Sequence, residues 1–251
     1  MIINKTTFQN PSAASPNFIE DEYSINWYMT RNERYCFAKL LEKIKPKVSI
    51  EIGSFDGGSL QVISKHSEKV YAIDIDPTLP DRLKGKFNNV TFLIGDSKEI
   101  VPKLIKELQE KNESIEFALI DGDHSAPGVK ADIENMINYV PSSSLNIILH
   151  DSFNPECRRG MKAVNYSANK HIHYVELDYI TGAYEPNGIK KEMWGGFGHI
   201  VLLNEERKGN LKMLESQKSL YDVTYLRSKH FLSDKKTFLK SIVKSVIGKN
   251  K

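Results

Sequence analysis

Between residues 48 and 149, five short apolar segments alternate with longer amphipathic ones. The apolar segments are 48–52, 70–74, 90–94, 117–120 and 145–149. Runs that are mostly apolar predict strands buried on both faces, and the amphipathic segments between them predict helices that cover the strands. The chain is therefore expected to form an α/β fold around a parallel sheet.

Two further segments complete the predicted sheet. Residues 173–177 and 199–203 have the pattern of strands, and the second follows a glycine-rich turn at 194–198. We expect them to form an antiparallel pair at one end of the sheet. The predicted fold is a Rossmann-like, mostly parallel seven-stranded sheet with helices on both faces, which is a three-layer sandwich. Before the sheet, residues 25–44 have a helical pattern that ends at Pro46.

Length and composition favour one domain with additional segments. We predict an N-terminal arm or lid at 1–24, an α/β domain at 25–204 and a Lys-rich helical extension at 205–251. The chain of 251 residues is 40% hydrophobic and 27% charged, which is typical of a soluble globular protein. Its net charge of +3 is too small to favour nucleic acid as the main partner.

The sequence predicts a cytoplasmic protein. It lacks both the apolar run of a signal peptide and the roughly 20 apolar residues that cross a bilayer. Cys36 and Cys157 lie far apart, which favours free thiols in a reducing compartment. Residues 238–247 are predicted to form a basic amphipathic helix. Peripheral contact with the inner membrane surface, docking on the protein's own body and pairing in a homo-oligomer are all open.

Polar residues collect at the carboxyl ends of the predicted strands. They are Glu51, Gly53, Asp74, Asp96, Asp121, His124, His150 and Asp151. Right-handed crossovers bring the carboxyl ends of parallel strands to one edge of the sheet, where ligands bind. We therefore expect one crevice that contains all of these residues.

The glycine-rich segment 51–58 joins the first predicted strand to a helix that we expect to open at Gly57. A tight turn alone would explain the glycines, and a dinucleotide site would also use them. The spacing is Gly-x-x-x-Gly-Gly, however, and differs from the Gly-x-Gly-x-x-Gly of pyrophosphate sites. Glu51 would repel a diphosphate but suits a ligand with an ammonium and a sulfonium. Asp74, about 20 residues later, is placed to accept hydrogen bonds from ribose hydroxyls.

A second group of polar residues follows the fourth and fifth predicted strands. Residues 120–125 read Ile-Asp-Gly-Asp-His-Ser, and residues 149–151 read Leu-His-Asp. Two carboxylates from adjacent strand ends suit Mg²⁺ or Ca²⁺, and a histidine among the ligands would favour Mn²⁺ or Fe²⁺. We expect Asp123 and Asp132 to be helix-capping or surface residues. The turn at 194–198 is expected either to close over a substrate or to serve only as a turn.

Over residues 48–151 these motifs resemble the class I S-adenosylmethionine-dependent methyltransferases, and in particular the family that includes cephalosporin-hydroxylase-like and macrolide sugar O-methyltransferases. The resemblance places the methionine part at Glu51 and Gly53, the ribose at Asp74 and the adenine beside 95–97. We expect cofactor contacts from Glu51, Gly53, Ser54, Gly57, Ser59, Asp74, Asp96, Ser97 and Asp121.

The same resemblance implies a metal-assisted reaction, most simply with Mg²⁺. Asp121 would be a metal ligand, His124 the catalytic base, and His150 with Asp151 the second ligand pair. Relatives more often carry carboxylates or carboxamides at that pair, so His150 departs from their pattern.

The predicted reaction transfers a methyl group in line from a sulfonium to a hydroxyl oxygen of a small acceptor such as a sugar or glycan. A histidine with the ordinary pKa of about 6.5 can take the hydroxyl proton at neutral pH. Two alternatives stay open. One is a nicotinamide-dependent oxidoreductase on a similar sheet, and the other is a cofactor-binding protein without catalytic activity.

Overall fold

A seven-stranded sheet lies at the centre of the computed structural model, which describes residues 23–235. The strands in this part of the chain are β1 (Val48–Ile52), β2 (Lys69–Asp74), β3 (Val90–Ile94), β4 (Ile115–Ile120), β5 (Leu145–His150), β6 (Ile172–Ile180), β7 (Ala183–Tyr184), β8 (Met193–Trp194) and β9 (Phe197–Leu202). The large sheet has the order β3-β2-β1-β4-β5-β9-β6, and β7 and β8 form a small separate sheet. β1 to β5 pair in parallel, whereas β9 is antiparallel to both of its neighbours. The predicted mostly parallel sheet with an antiparallel pair at one end is confirmed.

Helices cover both faces of the sheet. They are α1 (Arg31–Ile44), α2 (Leu60–His66), α3 (Leu79–Arg82), α4 (Ser97–Glu110), α5 (Ala126–Ile137), α6 (Pro155–Lys162) and α7 (Lys218–Arg227). Alternate residues of β4 point into two separate cores. Phe117 packs in the core with residues of α1 and α2, whereas Ala118 packs in the core with residues of α4 and α5. Because each face of the sheet has its own core, the three-layer arrangement predicted from the sequence is confirmed.

The first helix begins at Arg31 and not at residue 25 as the apolar pattern predicts. Thr30 ends the preceding extended segment and caps the helix, in a capping box with Glu33. Trp27 and Met29 belong to the buried core although they precede the helix. The two side chains are two residues apart, which is the spacing of an extended segment with one buried face and not that of a helix.

The described part of the C-terminal extension packs against the domain around a buried arginine. Arg158 of α6 is 2% exposed, and its guanidinium pairs with Asp178 of β6 at 2.7 Å and with Glu215 at 3.0 Å. The ring of Tyr221 on α7 lies 4.2 Å from the guanidinium carbon. One side chain therefore joins α6, β6 and α7.

Two sequence expectations concern segments that lie outside the described residues. These are most of the arm at 1–24 and the amphipathic segment at 238–247. Between residues 23 and 235, every helix is too short or too polar to cross a lipid bilayer.

Candidate active site

The loop after β1 turns tightly over the end of β4. Gly53 has a φ of +86°, and a Cβ at this position would lie 2.2 Å from the carbonyl oxygen of Asp121. Only glycine combines this conformation with such a close approach. A Cβ on Gly58 would lie 2.5 Å from the carbonyl oxygen of Asn26. The chain's own segment before α1 therefore occupies the space that Gly58 leaves, and α2 begins at Leu60, three residues later than expected.

Glu51 supports this loop from inside the protein. Its side chain is fully buried, and its two oxygens accept hydrogen bonds from the hydroxyls of Ser54 and Ser59, each at 2.5 Å. Burial raises the pKa of Glu51 to about 8, although both hydroxyls favour the charged form. These three predicted cofactor residues thus form one buried hydrogen-bonded unit beneath the loop.

The raised pKa of Glu51 makes stability depend on pH. Between about pH 4.5, its ordinary value, and about pH 8, the folded state holds a proton that the unfolded chain releases. The stability from this group is fully present below pH 4.5 and is lost as the pH rises through 8. Each unit of pKa difference corresponds to about 1.4 kcal/mol. From pH 5 to pH 8, the free energy of unfolding of the wild type should therefore fall by several kcal/mol relative to that of Glu51→Gln. Urea unfolding at the two pH values measures this difference.

The matched control for this experiment is Glu205→Gln, because Glu205 is exposed. The difference in the free energy of unfolding between this variant and the wild type should be the same at the two pH values. An equally constant difference for Glu51→Gln would contradict the prediction.

Asp74 lies at the end of β2 and faces the loop. One carboxylate oxygen accepts hydrogen bonds from the backbone amides of Ser54 and Phe55 at 2.9 and 3.1 Å. Arg82 of α3 adds ion pairs of 2.8 Å to both Asp56 and Asp76. The half-buried Asp74 carboxylate is thus held in place at the edge where a ribose is expected.

Asp96 and Ser97 begin α4 at the end of β3. Asp96 caps the helix by accepting from the amide of Lys98 at 2.9 Å, and its side chain is exposed. The hydroxyl of Ser97 donates to Asp132 at 2.6 Å. Asp132 is 1% exposed, and burial raises the pKa of its carboxyl. The expectation that Asp132 caps a helix or lies at the surface is wrong, whereas Asp123 does accept from the amide of Ser125 at the start of α5.

The acidic and histidine residues after β4 and β5 meet at one point. Nδ1 of His150 lies 2.9 Å from Oδ1 of Asp121. Nε2 of His124 lies 3.0 Å from Oδ2 of Asp151 and 3.5 Å from Oδ1 of Asp121. The other oxygen of Asp151 accepts from the amide of Gly195 at 2.6 Å. The four residues that the sequence assigns to catalysis and metal binding therefore form one cluster.

The carboxylates and imidazoles of this cluster shift one another's pKa values. Burial disfavours ionisation of Asp121, yet His150 and His124 lower its pKa to about 2. Hydrogen bonds to Asp121 and Asp151 raise the pKa of His124 to about 10. Burial opposes a charge on His150, but the same two carboxylates raise its pKa well above the ordinary value. Without a cation, His124 is protonated at neutral pH and differs from the neutral imidazole that a pKa near 6.5 would give.

The cluster has the atoms that a divalent cation requires. Asp121, His150 and Asp151 each offer one ligand atom, and all three atoms lie within 4.8 Å of one another. Two carboxylate oxygens and an imidazole nitrogen suit Mg²⁺ or Mn²⁺. The residues therefore fit a metal ion, and the positive charge of an ion would replace that of the two protonated imidazoles.

Sequence reasoning missed Glu33 and left the role of the turn at 194–198 open. Glu33 of α1 is buried, and its Oε1 lies 3.3 Å from Nε2 of His150 and accepts from the amide of Gly196. The turn at Gly195 and Gly196 donates to both Asp151 and Glu33 and does more than join two strands. The ring of Trp194 meets that of His124 edge-on, with 5.6 Å between centroids. The only sequence signal for Glu33 was the capping pattern Thr30-x-x-Glu33, which says nothing of its partner 163 residues later.

Part of the chain is similar to a known protein family. Residues 50–152 match a family described as a methyltransferase domain. No curated protein matches the chain. The matched segment extends from β1 to just beyond Asp151, so it contains the four clustered residues but neither Glu33 nor the Gly195–Gly196 turn.

Two solved structures share the fold. The cofactor-bound protein Rv0187 from MTB aligns with a TM-score of 0.52 and 13% identity, over 74% of this chain and 86% of its own. The O-methyltransferase TomG of Streptomyces achromogenes, involved in tomaymycin synthesis and solved with SAM, aligns with a TM-score of 0.52 and 12% identity, over 72% of this chain and 83% of its own. At this level of identity the similarity shows the fold.

Proposed function

We propose that the protein transfers a methyl group from S-adenosylmethionine to a hydroxyl oxygen with the help of a divalent cation. The match of residues 50–152 to a methyltransferase-domain family and the fold shared with an O-methyltransferase support this proposal. The observation that carries the proposal is the cluster of Asp121, His124, His150 and Asp151 at the carboxyl ends of β4 and β5. A small hydroxylated acceptor, such as a sugar or glycan, is the substrate class that we propose.

The loop residues fit S-adenosylmethionine. Gly53 leaves no room for a Cβ where the loop crosses β4, and the carboxylates of Asp74 and Asp96 lie at the ends of adjacent strands. Such carboxylates can accept hydrogen bonds from ribose hydroxyls and from an adenine amino group. When bound, S-adenosylmethionine supplies the methyl group on its positively charged sulfur. Glu51 is beneath the loop, so we assign it to holding Ser54 and Ser59 in place.

The proposed reaction needs a base beside the acceptor hydroxyl. The acceptor oxygen forms a bond to the methyl carbon as the bond from that carbon to sulfur breaks, and the hydroxyl proton passes to a ring nitrogen of His124. The side chain of His124 is 47% exposed, so it can reach a substrate. A cation held by Asp121, His150 and Asp151 would supply positive charge that lowers the pKa of the acceptor hydroxyl and of His124. His124 would then be neutral and able to accept the proton.

The surroundings of His124 suit a small organic acceptor. The half-buried indole of Trp194 stands beside the imidazole and offers an apolar wall next to the polar cluster. Binding pockets for small molecules commonly combine aromatic walls with a few well-placed polar groups. A sugar, which has both hydroxyls and apolar C–H faces, has this combination of properties.

We expect methyl transfer to require a divalent cation. Removing it with EDTA should lower the rate on a hydroxylated acceptor at least tenfold, and Mg²⁺ or Mn²⁺ should restore the rate. The affinity for adenosylhomocysteine should change less than threefold, because the loop residues do not belong to the cation cluster. A rate that is unchanged after exhaustive chelation would contradict metal assistance.

Thermal unfolding separates this proposal from an oxidoreductase. At 100 times its dissociation constant, adenosylhomocysteine should stabilise the fold by about 2.7 kcal/mol. NAD at the same concentration should leave the melting temperature unchanged. Stabilisation by NAD alone would overturn the proposal.

A further inference from the structure

Glu33 connects the N-terminus of α1 to the centre of the acid–histidine cluster. It is the third residue of the helix and is only 1% exposed, which is unusual for a capping glutamate. Its Oε2 accepts from the amide of Thr30 at 2.6 Å, as a capping box requires. Its Oε1 faces inward, accepts from the amide of Gly196 and lies 3.3 Å from Nε2 of His150. Capping alone does not require this second set of contacts.

The two nitrogens of His150 have different surroundings. Nδ1 faces Oδ1 of Asp121 at 2.9 Å and Oδ2 of Asp151 at 3.8 Å, and these are the proposed cation ligands. Nε2 is buried and has no hydrogen bond among the described residues, and it lies at ion-pair distance from Glu33. A histidine that binds a metal through one nitrogen usually donates the N–H of the other to a carboxylate, which fixes the ring and its tautomer.

We infer that Glu33 is a positioning residue for His150. The carboxylate holds the proton on Nε2 and fixes the plane of the ring, so that the lone pair of Nδ1 faces the cation. This inference rests on the proposed cation site and names a residue that lies outside the segment shared with the methyltransferase family.

The turn at Gly195 and Gly196 strengthens the same arrangement. Its two consecutive amides donate to Asp151 and to Glu33, so one rigid turn fixes a proposed ligand and its supporting carboxylate together. A Cβ on Gly195 would lie 2.8 Å from Oε1 of Glu33. The turn and the carboxylate therefore fit closely, and displacement of Glu33 would affect both sides of the site.

The test is the affinity for Mn²⁺, measured by titration calorimetry on the full chain without substrate. Glu33→Gln keeps the shape of the side chain but removes the charge, and it should weaken Mn²⁺ binding about 10- to 100-fold. The affinity for adenosylhomocysteine should change less than threefold. Glu33→Asp keeps the charge, but its shorter side chain places the carboxylate farther from His150. It should therefore also weaken Mn²⁺ binding. It provides a second variant if Glu33→Gln does not fold.

Thr30→Ala is the matched control for helix capping. It removes the hydroxyl that accepts from the amide of Glu33 but leaves the carboxylate opposite His150. It should lower the melting temperature and leave the affinity for Mn²⁺ unchanged. Equal loss of Mn²⁺ affinity in Thr30→Ala and Glu33→Gln would show that Glu33 acts only by capping, and would overturn the inference.

A double-mutant cycle tests the link to His150 itself. In a His150→Asn background no imidazole needs to be oriented, so Glu33→Gln should change Mn²⁺ affinity less than threefold. The same large loss in both backgrounds would overturn the inference. If the wild type bound Mn²⁺ but Glu33→Gln bound it equally well, this inference would fail while the proposed function stood. If the wild type bound no divalent cation, metal assistance and the role of Glu33 would both be wrong.

Discussion

Replacing His124 with alanine is expected to lower kcat/KM for methyl transfer by about 10²- to 10⁴-fold, the usual range for a lost catalytic base. Nε2 of His124 lies near both Asp121 and Asp151, and the side chain is 47% exposed. The measurement is the initial rate of adenosylhomocysteine formation on a hydroxylated acceptor with saturating Mg²⁺. Binding of adenosylhomocysteine should change less than threefold, because the cofactor loop does not contact this imidazole.

His173→Ala is the matched control for His124→Ala. This second histidine lies near the start of β6, where its Nε2 contacts the carbonyl of Glu205 at 2.9 Å. Its removal should leave the rate within twofold of the wild type. If His124→Ala kept more than a third of wild-type activity, another group would have to act as the base and our assignment would be wrong.

Replacing Arg158 with methionine is expected to lower the free energy of unfolding by about 3–5 kcal/mol, because removal of one partner leaves buried charges uncompensated. Its guanidinium pairs with Asp178, whose side chain is 2% exposed, and with Glu215 on the chain that leads to α7. Contact with Tyr221 is also lost. Urea unfolding at pH 7 measures the difference.

The neighbouring Arg159 gives a control in the same helix. Its side chain is 51% exposed and pairs with Glu156 and Asp234 at the surface. Arg159→Met should cost less than about 1 kcal/mol. Adding Asp178→Leu to Arg158→Met should recover part of the lost stability, since no buried carboxylate then remains at that position. Equal effects of the two arginine variants would show that burial does not govern this network.

The parallel half of the fold could be predicted because its signals are local. A run such as 90–94 is mostly apolar over the length of one strand, and the structure begins and ends β3 at those residues. The start of α1 could not be placed in the same way. Ile25 is held in an extended segment by the side chain of Gln61, which bonds both its N–H and its carbonyl. Nothing in the sequence around residue 25 indicates a partner on α2.

The candidate site, too, could be predicted only in part from the sequence. Asp121, His124, His150 and Asp151 follow two strands whose neighbourhood the alternating pattern implies, so their meeting could be expected. The protonation states of these residues could not be predicted, because the pKa of His124 depends on its contacts with two carboxylates and not on its residue type alone. Asp132 was misplaced for a related reason. Its burial depends on the loop at Gly122, where a Cβ would lie 3.6 Å from its Oδ2, and on Ser97 of α4.

The contact between Glu33 and the amide of Gly196 joins residues 163 positions apart. Contacts of such long range form late in folding, because a large loop must close before they can contribute. The chain can therefore build most of its sheet before the region around His150 is enclosed. A nascent or truncated chain that ends before Gly195 would carry every residue of the family segment, yet it would lack the turn whose amide donates to Asp151. We expect such a chain to be inactive, so that methyl transfer would begin only when the last strand joins the sheet.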